Sequence, residues 1–158
     1  MFPLGGRAYP RAEADCLPPT LSAVPAMLPD VDYDAYQRLH GSGDAAPWAA
    51  ALSHVEEHEG IVLAGARRAP HGRNVVFLAR DAVVKFVPPF WIHMWANECA
   101  ALAHVHGQLP VVTPRLRASG RLGDWGYIAM EKLPGRSLGR RGEFEEPALP
   151  SPLAELQG

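Results

Sequence analysis

Lysine is nearly missing from this chain: Lys85 and Lys132 stand against thirteen arginines. Cysteine is equally scarce, with Cys16 and Cys99 far apart and no Cys-x-x-Cys spacing, which excludes a disulfide framework and fits a reducing compartment. No apolar run approaches the roughly 20 residues that cross a bilayer. The opening residues lack a continuous apolar stretch between a basic start and a small-residue cleavage site, and Glu13 and Asp15 argue against an organelle transit peptide. These absences predict a soluble cytoplasmic protein with no membrane partner. A basic excess is also lacking, since 15 Lys and Arg face 17 Asp and Glu for a net charge of −2. That balance is not the footprint of a dedicated nucleic-acid binder. No internal repeat of about 20 to 50 residues is visible, so a solenoid is excluded too.

What is present divides the chain of 158 residues into four parts. Residues 1–29 carry six prolines without apolar periodicity, and residues 139–158 mix charge with Pro147, Pro150 and Pro152. The first reads as a flexible Pro-rich leader and the second as a linker or tail. Residues 30–60 read as a helical extension. Asp30 or Asp32 can cap a short helix through "YDAYQRLH", with Tyr33, Tyr36 and Leu39 on one side and Gly41 as its close. Asp44 and Pro47 then open a second helix, in which Trp48, Leu52 and Val55 recur at helical spacing until Gly60.

From residue 61 the period becomes strand-like. "IVLAGARRA", "NVVFLA" and "AVVKFV" are separated by "PHGR" and by Arg80 and Asp81, connections short enough to predict an antiparallel meander. "FWIHMWANECAALAHVHG" predicts a helix stopped by Gly107, and "PRLRASGRLGDWGYIAMEKL" predicts two more strands around a Gly-Asp turn. The expected fold class is therefore α+β: a five-stranded antiparallel sheet with one packed helix, preceded by two short helices.

Two charges interrupt apolar patterns. Lys85 lies inside the third strand, and Glu98 shares a helix side with Trp91, Met94, Trp95, Leu102 and Val105. That side is the one expected to pack on the sheet. A buried ammonium or carboxylate without a partner is costly enough that proteins pair it or neutralise it. Lys85 and Glu98 are natural partners. The plainer alternative is a lysine snorkelling from an edge strand and a glutamate at the border of the stripe.

"NVVFLARDAVVKFV", then "ANECAAL", then "VVTPRLRASGRLGDWGYIAMEKLPGRSLG" resembles the amino-terminal lobe of the aminoglycoside phosphotransferase family, which has a protein-kinase-like fold. The resemblance covers residues 61–138. It implies an ATP-binding lobe in which Lys85 holds the nucleotide α- and β-phosphates and Glu98 pairs with it. By the same resemblance, Gly72 and Asn74 belong to a phosphate-covering turn with fewer glycines than a protein-kinase loop. Met130 would stand behind the adenine, with the carbonyl of Glu131 and the N–H of Leu133 as its hydrogen-bonding groups.

The family's chemistry resides in a second lobe, with a His-Gly-Asp loop and further ligands for Mg²⁺. The chain contains no His-Gly-Asp triplet. The expectation is thus a truncated phosphotransferase, inactive alone, with a separate carboxy-terminal lobe or self-association supplying what it lacks. The expected cofactors are ATP and, with the missing lobe, Mg²⁺.

Three further patterns compete. "HVEEH" matches a zinc-peptidase motif through His54 and His58, but a catalytic zinc wants a third protein ligand, and because the pair is offset from the Trp48, Leu52 and Val55 stripe a solvated helix face is the better account. "HVHG" at residues 104–107 reads as imidazoles at a helix C-terminus. Arg67, Arg68, Arg115, Arg117 and Arg121 admit a small nucleic-acid-binding β module, but no aromatic stacking pattern accompanies them. A non-catalytic interaction module of kinase-like ancestry is the remaining alternative.

Overall fold

Asp32, not Asp30, starts the first helix. In the computed structural model, which describes residues 27–70 and 72–135, its carboxylate accepts the Ala35 N–H at 2.7 Å and caps α1 (Tyr33–Gly41). The leader as far as residue 26 and the tail expected at residues 139–158 lie outside the described residues. Asp44 performs a similar task one element later: it accepts the Ala46 N–H at 2.9 Å and opens a 3-10 turn, Ala46–Trp48, that runs into α2 (Ala49–Glu59). Gly60 ends α2 at φ 63°, a left-handed conformation that a residue with a Cβ adopts at a cost.

The first expected strand is corrected by the structure. Of "IVLAGARRA", β1 retains Arg67–Arg68. Ahead of it Gly65 turns at φ 73° and the Ala66 N–H bonds to the Leu63 carbonyl at 2.9 Å. The Glu56 carboxylate takes the Leu63 N–H at 2.9 Å. The apolar character of Ile61 and Leu63 serves the core, where both are buried, rather than a strand.

The other strands are β2 (Val75–Leu78), β3 (Ala82–Val87), β4 (Leu116–Leu122) and β5 (Trp125–Glu131). They form one five-stranded sheet of order β1-β2-β3-β5-β4 in which every neighbouring pair is antiparallel. The fold class expected from the sequence is the one observed. The chain leaves β3 through a 3-10 turn and α3 (Ile92–Val105), passes over β5, and returns as β4 on the outer edge. Gly123, at φ 63° in the first central position of the β4–β5 turn, has the sign of φ that a two-residue II′ hairpin requires. No described helix is long and apolar enough to cross a membrane.

Helices pack against both faces of the sheet. Val75, Phe77, Val84, Phe86, Tyr127 and Ala129 pack with Tyr36, Trp48 and Val55 of the helical extension. The Trp48 ring lies 5.3 Å from both the Phe86 and the Trp125 ring centroids. On the opposite face, Val87 and Ile128 pack with Trp95 and Cys99 of α3, flanked by Ile92, Leu102, Leu116 and Met130. The buried side of α3 thus centres on Trp95 and Cys99. Met94, expected in that stripe, is 39% exposed. Gly126 explains the rotation: its bare Cα leaves the slot in which the Trp95 ring sits, and the indole N–H donates to the Tyr127 carbonyl at 2.8 Å.

Candidate functional site

Lys85 lies in the middle of the sheet, opposite Val76 of β2 and Ile128 of β5. Pleating sends successive side chains to opposite faces, and that of Lys85 leaves on the α3 face. There its ammonium donates to the Glu98 carboxylate. The two side chains are 18% and 32% exposed, so the pair is fixed by the fold and still within reach of a ligand. Glu98 is held there by Trp95, one turn earlier on α3, whose ring is seated on Gly126.

α3 rests on the β5 and β4 side of this face, against Ile128, Leu116 and Met130. The β2 and β3 side is less covered. Val76 and Val83 are half-buried, and Leu78 is 38% exposed. The register sets Val76 opposite Lys85 and Leu78 opposite Val83, so all four residues share the face. An apolar shelf therefore borders the ammonium. The sequence reading missed Val76 and Val83, although counting in twos from Lys85 and its strand partner would have found them.

The β1–β2 turn closes one end of this face. Gly72 adopts φ 132°, and a Cβ there would meet only the Asn74 carbonyl oxygen, at 3.6 Å. Glycine is needed at that position for its backbone conformation, not for space. The Asn74 Oδ1 is buried and has no hydrogen-bond partner among the described residues. Arg73 ties the turn down: its carbonyl accepts the Tyr36 hydroxyl at 2.8 Å, and its guanidinium lies 5.5 Å from the Trp91 ring centroid. Nothing in the local sequence around Arg73 signals this role, because Tyr36 and Trp91 are distant in the chain.

At the other end of the sheet the chain leaves β5. Met130 stands opposite Val83 and Leu116, on the face of Lys85. The Glu131 N–H donates to the Arg115 carbonyl at 2.9 Å and the Lys132 N–H to the Asp81 carbonyl at 3.1 Å. The Lys132 ammonium donates to the Ala79 carbonyl at 2.9 Å. The exit segment is thereby fastened to both neighbouring strands ahead of Leu133. Here opens a groove of about 580 Å³ lined by Asp81, His106, Arg115, Arg117, Glu131 and Lys132.

Ala82 pairs with Glu131, which sets Lys85 three residues, or about 10 Å, farther along the strand. Exit segment, lysine and glycine turn therefore follow one another along the sheet. The expected site residues fall into these three groups: Met130, Glu131 and Leu133, then Lys85 with Glu98, then Gly72 and Asn74.

Several other charged groups brace the fold. Arg68 donates to the carbonyls of Asp44 and His40 at 2.9 and 2.6 Å, and Arg117 to that of Asp81 at 3.2 Å. Arg121 donates to the Asp124 carbonyl at 2.9 Å and lies 5.9 Å from the Trp95 ring centroid. His106 ends α3 with Nδ1 3.1 Å from the Thr113 carbonyl. The rings of His54 and His58 stack with centroids 4.4 Å apart. Among the described residues no group of three or more His, Cys, Asp or Glu is placed to hold a metal ion.

Two phenols are perturbed. Burial pushes Tyr36 up to about 12. Burial, with the Glu59 carboxylate accepting its hydroxyl, raises Tyr127 well above the usual tyrosine range. Comparison of the chain with protein-family models, with curated proteins and with solved structures found no match.

Proposed function

We propose that residues 61–135 form a nucleotide-binding lobe of the kind used by small-molecule phosphotransferases, with ATP as the ligand. The observation that carries this reading is the ion pair between Lys85 in the middle of β3 and Glu98 on α3, half-buried beside an apolar shelf. A compact ammonium on a long stem reaches phosphate oxygens, and a carboxylate behind it fixes its direction. Val76 and Val83 offer a flat apolar surface for a base, and Met130 stands at its far edge. Glu131 and Leu133 would then meet the base edge through main-chain groups. Gly72 and Asn74 would approach the phosphates, since turns that expose successive N–H groups attract anions.

Phosphoryl transfer also needs a group to align the acceptor hydroxyl and ligands for Mg²⁺. The chain holds no His-Gly-Asp triplet, so this proposal assigns those tasks to a separate carboxy-terminal lobe of the aminoglycoside phosphotransferase type. ATP binding by the full chain, followed calorimetrically, tests the reading. Loss of a charge-assisted hydrogen bond is worth about 1.5–3 kcal/mol, so Lys85→Ala should weaken binding roughly 10- to 100-fold. Affinity unchanged in both Lys85→Ala and Glu98→Ala would remove the assignment.

A second reading has its own support. Leu109, Val111 and Val112, in the connection from α3 to β4, are 48%, 51% and 79% exposed. Apolar residues gathered on an exposed segment suit a protein contact, as a non-catalytic interaction module requires. A defined oligomer that dissociates in Val112→Asp, together with no ATP binding, would favour this reading over the first.

A further inference from the structure

We propose that His54 and His58 form a reversible binding site for one borderline divalent transition-metal ion, such as Zn²⁺ or Ni²⁺, on the surface of α2. The two residues are one helical turn apart, and their rings lie with centroids 4.4 Å apart and planes inclined by 23°. Side chains at this spacing share a helix face. The fold has therefore brought two imidazoles side by side before any ion arrives, which lowers the ordering cost of chelation.

Stacking uses the faces of the rings, whereas ligation uses lone pairs in their planes. The two interactions thus draw on different parts of the same groups. Rotation about χ2 brings one nitrogen of each ring toward a common point, with the short Zn–N distances of about 2.0–2.1 Å that imidazole ligands make. Imidazole suits zinc, copper and nickel, and not magnesium or calcium, which prefer oxygen donors.

The surroundings limit what such a site does. His58 is exposed and His54 half-buried, so water completes the coordination. The Glu56 carboxylate is occupied by the Leu63 N–H at 2.9 Å. Glu57, exposed and three residues beyond His54 on the helix, adds negative charge nearby. With two protein donors the ion exchanges readily, in contrast to a three-ligand catalytic zinc. Its effect is to clamp the last turn of α2, where Glu59 receives the Tyr127 hydroxyl. A ligand that binds only the folded chain raises its thermal stability, so this effect is measurable without any assay of activity.

The experiment is a calorimetric titration of the full chain with NiCl₂ and with ZnCl₂, accompanied by thermal melts with and without the ion. One saturable equivalent is expected, with a rise in Tm. Both should disappear in His54→Ala and in His58→Ala. Alanine favours helix, so these variants keep α2, and His54→Gln provides a second ligand deletion of similar size. Failure of the wild-type chain to take up a saturable equivalent would overturn the proposal. So would uptake and a Tm rise that persist in the His54→Ala, His58→Ala double variant, because the ion would then sit on other groups.

Discussion

Gly126→Ala should loosen α3 from the sheet and, with it, the Lys85–Glu98 pair. A Cβ at residue 126 would lie 2.7 Å from Cδ1 and Cγ of Trp95 and 3.0 Å from Cδ1 of Ile92. The Trp95 atoms belong to the root of the ring, close to the α3 backbone, so they cannot swing aside as a flexible chain end would. Overpacking of this kind costs about 1–3 kcal/mol. Displacing the ring also breaks the 2.8 Å bond from the indole N–H to the Tyr127 carbonyl, and a buried polar group left unsatisfied costs about 1–3 kcal/mol more. A loss of roughly 2–6 kcal/mol is therefore expected from the two costs together, visible as a fall in Tm of about 10 °C or more. Urea unfolding measures the loss directly, and near-UV circular dichroism reports the Trp95 environment. Trp95→Leu in the Gly126→Ala background should recover part of the stability, with a favourable coupling energy in the double-mutant cycle. Stability of Gly126→Ala within about 0.5 kcal/mol of wild type, the range of an inert surface change, would refute the seating of α3 on this glycine.

Lys85→Arg should weaken ATP binding in the same direction as Lys85→Ala, because a planar fork does not reproduce a point charge at a half-buried position; a calorimetric affinity equal to wild type would count against direct phosphate contact. Tyr36, with its phenol raised to about 12, contributes stability that is fully present below about pH 10 and lost as pH rises from there toward 12. Melts across that window should fall less steeply for Tyr36→Phe than for wild type. Asp32→Ala removes the cap on the Ala35 N–H and should cost about 1 kcal/mol in urea unfolding, with Asp32→Asn restoring most of it.

The parts of this fold legible in the sequence are those whose pattern is local. Strands β2, β3 and β5 follow from short, nearly continuous apolar runs bounded by turn residues, and α2 from Trp48 and Val55 between Pro47 and Gly60. The sheet order was not legible, since nothing near β4 says that β5 will insert between it and β3. The length of β1 was not legible either: Ile61 and Leu63 are apolar because they fill the core, which strand periodicity does not distinguish from pairing. On α3, reading Met94 as core and passing over Cys99 misplaced the buried stripe by a fraction of a turn. The deciding residue, Gly126, lies on another element. For the candidate site, Lys85 and Glu98 were visible as charges breaking apolar patterns. The anchoring of Arg73 depends on Tyr36 and Trp91, which are distant in the chain. The groove at the strand exit is assembled from residues between 81 and 132, beyond any local signal.

The two faces of the sheet differ in how fully they are closed. One face is closed by α1, α2 and an aromatic cluster in which Tyr36, Trp48, Phe77, Phe86 and Trp125 are each no more than 1% exposed. Burial of a large side chain of this sort is worth about 1.5–3 kcal/mol before entropy is counted, so this face supplies most of what holds the chain folded. The other face can then leave part of its surface open. A salt bridge in such a setting adds little net stability, because desolvation offsets much of the attraction between its charges. Replacing Lys85 and Glu98 by apolar residues would lose little stability on that account. What the pairing does fix is the position of one ammonium, which is held against Glu98 of α3 between the glycine turn and the strand exit. A sheet that relied on its α3 face for stability would need the shelf formed by Val76 and Val83 covered.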